Sequence, residues 1–568
     1  MSGLASLFRV AGPPDRKPLP RMIRALDARG PDARVEVSVP DGSIAVTLRA
    51  PGETGSNPAW DPTGRWCVAT DGELLNARQL LYEQRAWGEG PEEDSTAAVV
   101  ACLFGARGFE SGLERLTGDV AILAWDTATR TLHLVRDRAG LRPLHWALLD
   151  DGTIVAASEP GALLAHPGVG RAPDPDGLRD ALTLGAALPP ATPWHAIRKL
   201  GPGERLTWSG GAPTVVRWWE ESANPPGADG ARYRWARSLR FSTELAIQQR
   251  VAVDAPIAVA LSGGLYAEAL LAAPAARRRG AVLALTLAPD GGDELARARV
   301  AAERCNAELV AVPLPTADVP AILAELAALS EPLLAPEALA WWVLARAAAD
   351  RGAEALFTGI GGASLYGGVP APVAERAAGV PVLGMVGRLA RAGAERLGDP
   401  WARRHLRRRF TTNAAPSTAL DALAATAPDA DPIGAAAWLD RRLDAEAAHA
   451  TLDRAAAAHG VRAQSPYADA PLAKLVASFP IGHLAQVRRP RGLFQDGLAE
   501  RLGGDAPAHR PMTLPVDAWL ALPGLTEGVA DTLAGLVPPD LLRLSPDVPP
   551  ARRWALVALA AWRRRHPA

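Results

Sequence analysis

Up to about residue 210, hydrophobic residues either alternate with polar residues over short segments or form short continuous runs. Asp-Gly and Gly-Asp pairs separate these segments. This spacing is typical of β-strands joined by tight turns. The clearest predicted strands are Trp66–Ala69, Val120–Trp125 and Leu132–Val135. The first part of the chain therefore predicts layered antiparallel sheet.

The pattern changes after a stretch rich in Pro, Gly and Ala near residues 224–230, which is predicted to be a linker. Apolar runs then alternate with Ala-, Arg- and Leu-rich segments of helical spacing, as expected for a parallel sheet with helices on both faces. Beyond about residue 385 the spacing is helical, and a basic segment follows Trp562. The predicted parallel strands are Ile257–Leu261, Ala281–Leu287, Glu308–Val312 and Ala355–Thr358.

A chain of 568 residues is too long for one hydrophobic core, so two or three domains are expected. The net charge of -1 and the pI of about 6.8 argue against nucleic acid or an anionic membrane as a partner. The apolar stretch Trp554–Trp562 is too short to span a bilayer. Three scattered cysteines favour the reducing cytoplasm and predict no metal site.

Nearly all the basic residues are arginines. The only lysines are Lys17, Lys199 and Lys474. Arginine stays protonated and cannot exchange a proton as lysine can. Any mechanism that needs a lysine acid, or a lysine at a phosphate, therefore has three candidates.

The most informative segment is Ser262-Gly263-Gly264, which directly follows the apolar run 256–261. A buried strand that enters a helix through such a turn can cradle a pyrophosphate, because glycine lets the backbone approach the anion and the helix start offers free N–H groups. The alternative is structural: the strand-to-helix corner needs glycine for close packing and a positive φ, which we expect at Gly264. The sequence leaves both readings open.

Several segments of the first half occur in the order and spacing of one known family. They are Met1–Ala5, Arg29–Asp32, Asp71–Glu73, Gly118–Asp126 and Arg136–Leu144. In the second half, Ser262–Leu265, Glu331–Pro332, Gly359–Gly362 and Tyr366–Gly368 fall where that family has its SGGLDS, DEP and GxGGDExFGG motifs. Taken together, the segments resemble the asparagine synthetase family.

The resemblance implies two domains. Residues 1–210 correspond to a glutaminase-like domain of the class II amidotransferase type, an α+β sandwich of stacked antiparallel sheets that is Ntn-hydrolase-like. Residues 211–568 correspond to an ATP-pyrophosphatase domain, an α/β parallel-sheet synthetase domain with a helical C-terminal part. The family activity that this implies is an AMP-forming, ATP-dependent amidoligase.

The glutaminase site departs from the family at its reacting groups. The family has a cysteine nucleophile where Ser2 stands here, and a serine hydroxyl is almost fully protonated at neutral pH. The family's oxyanion donor is an asparagine, whereas the carboxylate of Asp71 would repel developing negative charge. The acid that the family has near residues 93–96 is shifted in register here. From these three departures together we expect glutamine hydrolysis to be lost. The resemblance assigns amide-substrate binding to Arg49, Gly72 and Glu73.

The synthetase site also differs from the family at the residues that carry its chemistry. Adenylation needs Mg²⁺ held by hard carboxylate ligands. Tyr266 and Ala363 stand where the family has two aspartates, Ser364 stands for the next acid, and Met512 for a lysine. Lys474 is the only candidate replacement for that lysine in this domain. We expect no metal ligands, with ATP as a candidate cofactor on Leu261, Ser262, Gly263, Gly264, Gly359, Gly361 and Gly362.

Other notable residues are expected to be structural. Glu294 resembles a helix carboxylate beyond the second parallel strand, and we expect it on a solvated helix face. His145 and His195 have no nucleophile to pair with. The pairs Trp218–Trp219 and Trp341–Trp342 are expected to pack in the core or at a domain interface.

Three functions compete. The leading one is a catalytically impaired homologue that acts as a partner or regulator of an active paralogue or a pathway enzyme, or as a homodimer. The second is an ATP-dependent amide-bond-forming ligase without glutamine hydrolysis, similar to the β-lactam synthetases and lasso-peptide cyclases. Ser2 fits the second, whereas Tyr266, Ala363 and Met512 do not. The third is a serine hydrolase based on Ser2, which Asp71 disfavours.

Overall fold

The computed structural model describes most of the chain. The described residues are 2–49, 55–220, 232–251, 255–275, 282–289, 294–366, 422–423, 426, 432–478, 492–499 and 512–567. The predicted linker at 224–230 and the start of the helical region at 385–421 lie outside them, as do Gly367 and Gly368.

The N-terminal part is a sandwich of two antiparallel six-stranded sheets, ordered β10-β8-β9-β1-β3-β2 and β12-β11-β7-β6-β5-β4. The strands are β1 Ser2–Phe8, β2 Ala33–Val39, β3 Gly42–Leu48, β4 Ala59–Trp60, β5 Trp66–Leu74, β6 Gly118–Asp126, β7 Thr131–Val135, β8 His145–Leu148, β9 Ile154–Ala157, β10 Arg198–Lys199, β11 Glu204–Trp208 and β12 Thr214–Arg217. Because β12 pairs with β11, the sandwich extends past residue 210.

Alternation along these strands builds the core between the sheets. Phe8 stacks on Trp125 across the sandwich, with ring centroids 4.5 Å apart, and both are fully buried. Helices cover the outer faces, so apolar residues of both strand faces are buried. These helices are α1 Leu19–Arg24, α2 Ala77–Ala86, α3 Thr96–Arg107, α4 Phe109–Arg115, α5 Pro160–Leu164 and α6 Pro175–Leu184.

The second part is built on a parallel five-stranded sheet in the order β15-β14-β13-β16-β17. Its strands are β13 Ile257–Ala260, β14 Leu283–Pro289, β15 Glu308–Leu314, β16 Ala355–Phe357 and β17 Arg462–Gln464. Each strand predicted from the sequence is present, and the predicted fold class is confirmed. After β13, the strands β14 and β15 are added on one side of it, and β16 and β17 are then added on the other side. The strand order therefore switches between β13 and β16. Parallel sheets of this kind bind ligands at such a switch point.

Helices surround this sheet and form the C-terminal part. They are α7 Arg232–Gln248, α8 Leu265–Ala275, α9 Glu294–Arg304, α10 Val319–Leu326, α11 Glu337–Ala349, α12 Gly362–Tyr366, α13 Pro432–Asp444, α14 Ala450–Ala458, α15 Ala470–Ala477, α16 Gly492–Ala499, α17 Val516–Leu520, α18 Val529–Leu533 and α19 Pro550–Arg565. A π-helical turn, Ala445–His449, joins α13 to α14. Within the described residues, no helix is long and apolar enough to cross a membrane.

Candidate functional site

The two glycine turns lie at the carboxyl ends of the neighbouring strands β13 and β16. Gly263 has φ +67° in the first turn, and Gly361 has φ +89° in the second. The positive φ expected at Gly264 is therefore found one residue earlier. A Cβ on Gly263 would lie 2.5 Å from Cβ of Arg297, because the turn packs directly against α9. Close packing thus requires glycine at this corner, as the structural reading predicts.

Tyr266, on the first turn of α8, lies against the second glycine turn. A Cβ on Gly362 would be 2.7 Å from Cγ of the tyrosine ring. The ring is buried among Tyr366, Tyr467 and Phe494, with centroid separations of 6.0, 5.6 and 5.3 Å. The hydroxyl of Tyr467 also donates to the backbone oxygen of Tyr266, at 2.8 Å. An aromatic cluster therefore joins the two turns.

The positions that would supply the remaining acids do not contribute charge. Ala363 is exposed on α12. Ser364 is buried, and its hydroxyl donates to the carbonyl oxygen of Gly361 at 3.0 Å. Lys474 is exposed on α15 and does not line the pocket described next, so nothing places it as a replacement for the missing lysine.

A pocket of about 180 Å³ opens beside the first glycine turn. Ser262, Gly264 and Tyr266 form one side of it, and Met512 lies in the wall, as its alignment with the family's lysine suggests. Most of the remaining lining is apolar: Leu285, Leu287, Trp341, Leu344 and Ile360. Arg510 and Pro511 lie outside the described residues.

Glu294 corrects a sequence-based expectation. We expected a solvated helix face, but its side chain is 3% exposed and lines this pocket. Its Oε1 accepts a hydrogen bond of 3.2 Å from the backbone N–H of Thr513. Glu294 is the first residue of α9, and helical periodicity could not show that the segment around Thr513 folds over it.

The described lining of this pocket does not fit Mg²⁺. Glu294 is the only carboxylate among the described lining residues, whereas Mg²⁺ bridging phosphates needs one or two carboxylates free to coordinate it. In the described part of the chain, no three His, Cys, Asp or Glu residues are grouped so that they could hold a metal ion. The turn at Ser262 can offer backbone N–H groups to an anion, but the described lining holds too few carboxylates for a bridging metal.

In the first domain, Ser2 and Asp71 are brought together as the resemblance implies. Ser2 is fully buried, and its backbone N–H donates to Oδ1 of Asp71 at 3.3 Å. Its hydroxyl donates to the carbonyl oxygen of Thr70, at 3.0 Å. Oδ2 of Asp71 accepts from Ser158 at 3.1 Å and forms an ion pair with Arg29 at 3.3 Å. A buried, paired carboxylate thus occupies the position expected to donate to an oxyanion.

The Arg29 guanidinium also connects this site to the second domain. It is fully buried and contacts Glu159, at 2.6 Å, and Asp453 of α14. The same Asp453 carboxylate accepts from Arg142 at 2.8 Å. A carboxylate of the second domain therefore lies between two arginines of the first, beside Asp71.

Two further buried ion-pair groups cross the same interface. Glu446 contacts both Arg136 and Lys199, each at 2.7 Å. Arg250 bridges Asp119, at 2.8 Å, and Asp469, at 3.0 Å. Local sequence patterns do not predict these contacts, because the paired residues are more than a hundred positions apart in the chain.

Two of the three residues assigned to amide-substrate binding, Arg49 and Glu73, contact the second domain. The guanidinium of Arg49 lies against Gly460, where an added Cβ would come within 2.0 Å of Nη2. Glu73 accepts from Gln464 at 3.3 Å and lies 3.6 Å from Arg462. Gly72 has φ +117°. These contacts belong to the domain interface, and a substrate role for the three residues stays a prediction.

His145 and Trp218, two of the residues singled out in the sequence, make hydrogen-bond-distance contacts to the backbone of the first domain. Nδ1 of His145 lies 3.0 Å from the carbonyl oxygen of Ser158, and burial lowers the pKa of this histidine well below its usual value. His195 is exposed. The indole N–H of Trp218 donates to the carbonyl oxygen of Arg136 at 3.1 Å, near the interface.

Comparison with known families matches both halves of the chain. A glutamine amidotransferase domain matches residues 1–219, and asparagine synthase matches residues 238–545. Over 210 residues, the chain is 28% identical to the glutamine-hydrolyzing asparagine synthetase 3 of Bacillus subtilis, covering 36% of this chain and 33% of that protein. Over 322 residues, it is 27% identical to a Mycobacterium tuberculosis protein named among the glutamine-hydrolyzing asparagine synthetases. This alignment covers 54% of this chain and 49% of that protein.

The aligned regions thus span between a third and a half of the length of these relatives. Among solved structures, the glutamine phosphoribosylpyrophosphate amidotransferase of Bacillus subtilis, complexed with ADP and GMP, aligns with a TM-score of 0.30 and 16% identity. That alignment covers 55% of this chain and 65% of the other.

Proposed function

The chain belongs to the asparagine synthase family, and from this premise we propose that it is a catalytically impaired member whose glutaminase and adenylation sites no longer turn over substrate. It acts by binding, as a partner or regulator of an active paralogue or of a neighbouring biosynthetic enzyme. The comparisons support an asparagine-synthetase-like protein, and the loss of catalysis is inferred from the side chains at the two sites.

One observation carries the proposal: the ring of Tyr266 occupies the space beside Gly362. This residue stands where the family has an aspartate that holds magnesium. A neutral ring buried in an aromatic cluster offers neither a charge nor a coordinating oxygen pair in its place. Moving the ring would expose the faces it shares with Tyr366 and Phe494, so the ring holds the place of that aspartate against Gly362.

The first site supports the same conclusion independently. Transition-state stabilisation in acyl transfer needs hydrogen-bond donors aimed at the developing oxyanion. The Asp71 carboxylate only accepts hydrogen bonds, and it forms an ion pair with buried Arg29. Ser2 is held by hydrogen bonds to the carbonyl oxygen of Thr70 and to that carboxylate.

The retained parts of the second site fit weak nucleotide binding. The asparagine synthetase family uses ATP. Backbone N–H groups at the start of α8, next to Ser262 and Gly263, can contact an anion without any acidic side chain. The apolar wall formed by Leu285, Leu287 and Trp341 suits a flat base. ATP is therefore proposed as a weak ligand whose binding does not require Mg²⁺.

A second candidate is the ATP-dependent amide-bond-forming ligase without glutamine hydrolysis. Burial of the Glu294 carboxylate in the pocket favours it, because a carboxylate held there could take part in metal or substrate binding. It requires Glu294 to exchange its contact with Thr513 for a metal ion, and it requires other ligands to enter the pocket.

ATP–pyrophosphate exchange separates the two candidates. We expect the protein with Mg²⁺, ATP and candidate acids to give no exchange above a protein-free control. Exchange that a chelator abolishes, and that Glu294→Gln removes while Glu303→Gln on the exposed side of α9 does not, would support the ligase instead. The binding role is tested by adding the protein to an intact paralogue, whose turnover we expect to change.

A further inference from the structure

A second cavity, of about 50 Å³, lies between the two domains, away from Met512 and Glu294. Arg138 and Trp219 line it from the N-terminal side, and Arg441, Arg442 and His449 line it from the second domain. We propose that this cavity is a binding site for a small oxyanion, the carboxylate or phosphate group of a metabolite. The inference does not rest on the loss of catalysis proposed above.

The charge balance of the lining favours an anion. Three arginines line the cavity, and Asp444 is the only carboxylate among the described lining residues. Guanidinium groups suit oxyanions because their N–H donors match the spacing of two carboxylate or phosphate oxygens.

The arginines are held in place by the protein. Arg442 is 7% exposed, and its Nη1 donates to the carbonyl oxygen of Pro202 across the domain interface, at 2.9 Å. Nη2 of Arg138 donates to the carbonyl oxygen of Glu114 at 2.8 Å. Burial lowers the pKa of Arg138 below its ordinary value, so its charge is poorly solvated where it stands. An oxyanion in the cavity would restore that solvation.

His449 provides an independent indication of a ligand. It lies in the π-helical turn Ala445–His449 and is 5% exposed, and Nδ1 has no hydrogen-bond partner among the described residues. Burial lowers its pKa to about 4, so the ring is neutral at pH 7 and carries one N–H donor. A buried ring nitrogen without a partner is costly, and π-turns often occur at functional sites.

The size of the cavity limits the ligand. A water molecule requires roughly 10–15 Å³ measured in this way, so the cavity of about 50 Å³ holds a few waters or one small group. A nucleotide base and ribose would not fit within it. The ring of Trp219 and the buried Tyr467 form part of the wall, and the space between them suits a carboxylate or a phosphate group.

Titration of the full-length protein with inorganic phosphate, and separately with acetate, tests the site. Binding is followed by calorimetry and by tryptophan fluorescence, with ionic strength held constant using chloride and with no ATP present. We expect saturable binding of at least one probe. Arg441→Gln should weaken it about tenfold, as expected for loss of one charge-assisted hydrogen bond. Arg351→Gln, an exposed arginine after α11, is the matched control and should leave it unchanged.

Tighter binding of phosphate would identify a phosphate-bearing ligand, and tighter binding of acetate a carboxylate-bearing one; either supports the site. Saturable binding of neither probe, or binding unaffected by both Arg441→Gln and Arg138→Gln, would overturn the proposal. Thermal unfolding of each variant shows whether it is folded, and Arg138→Gln replaces Arg441→Gln if the latter is not. The titration measures anion binding and not turnover. A negative result would therefore reject this binding site without bearing on the proposed loss of catalysis.

Discussion

The ring of Tyr266 lies so close to Gly362 that any side chain at Gly362 would collide with it: an added Cβ would be 2.7 Å from Cγ. The tyrosine comes from the helix after β13 and the glycine from the helix after β16. Their contact joins the two turns that would otherwise form the walls of a phosphate site. The presence of Tyr266 in the first turn therefore restricts position 362, in the second turn, to glycine.

Gly362→Ala should therefore destabilise the protein, by about 1–3 kcal/mol, because the ring cannot move away within its packed cluster. Chemical denaturation gives the measurement. Gly170→Ala is the matched control, since a Cβ there would make only an ordinary contact of 3.5 Å with Ala196. Combining Gly362→Ala with Tyr266→Ala should recover part of the loss in a double-mutant cycle, and strict additivity would contradict the contact.

The corner at Gly263 gives a second stability test. Gly263→Ala places a Cβ at φ +67° and 2.5 Å from Cβ of Arg297, so we expect a loss of at least about 1 kcal/mol. Gly264→Ala lacks the positive φ and should cost less. Equal losses of unfolding free energy for the two variants would show that the turn is not held in this conformation.

Glutamine should yield no glutamate above background with the unaltered protein. Ser2→Cys alone should not restore hydrolysis, because Asp71 leaves the oxyanion position negative. Ser2→Cys combined with Asp71→Asn is the informative double change, and any recovery should be non-additive because the two residues form one site. Ser6→Cys, on the same strand, serves as the control. Robust hydrolysis by the unaltered protein would reject the proposed loss of this activity.

Asp453 should be important for the docking of the two domains. Asp453→Asn keeps the shape but removes the charge between Arg29 and Arg142, so we expect destabilisation of about 3 kcal/mol. Asp547→Asn, in an exposed pair with Arg543, should change the thermal unfolding temperature little. If the two variants unfold at the same temperature, the buried contact contributes nothing.

Acid should destabilise the first domain partly through His133. Burial, with a contribution from Arg205, lowers the pKa of this histidine from 6.5 to about 4. The unfolded chain then binds a proton that the folded chain does not, so stability is lost as the pH falls from 6.5 towards 4. His133→Gln should flatten the dependence of unfolding free energy on pH by up to about 1.4 kcal/mol per pH unit in that range. Parallel curves for the two proteins would contradict this.

Local sequence patterns were sufficient to predict the main strands and helical regions and the class of each domain. Strand alternation predicted the antiparallel sandwich, and apolar runs alternating with helical segments predicted the parallel sheet, because both signals depend on local periodicity. The same local evidence located the two glycine turns and identified Ser2, Asp71 and Tyr266 as departures from the family. All of these predictions depend on residues that lie close together in the chain.

The contacts of those residues depend on the tertiary structure. It buried Glu294 under the segment at Thr513, shifted the required positive φ to Gly263, and placed Tyr266 over Gly362. It also brought Asp453 between two arginines more than three hundred residues earlier in the chain. Such contacts depend on how separate elements pack, and no periodicity within one element carries that information.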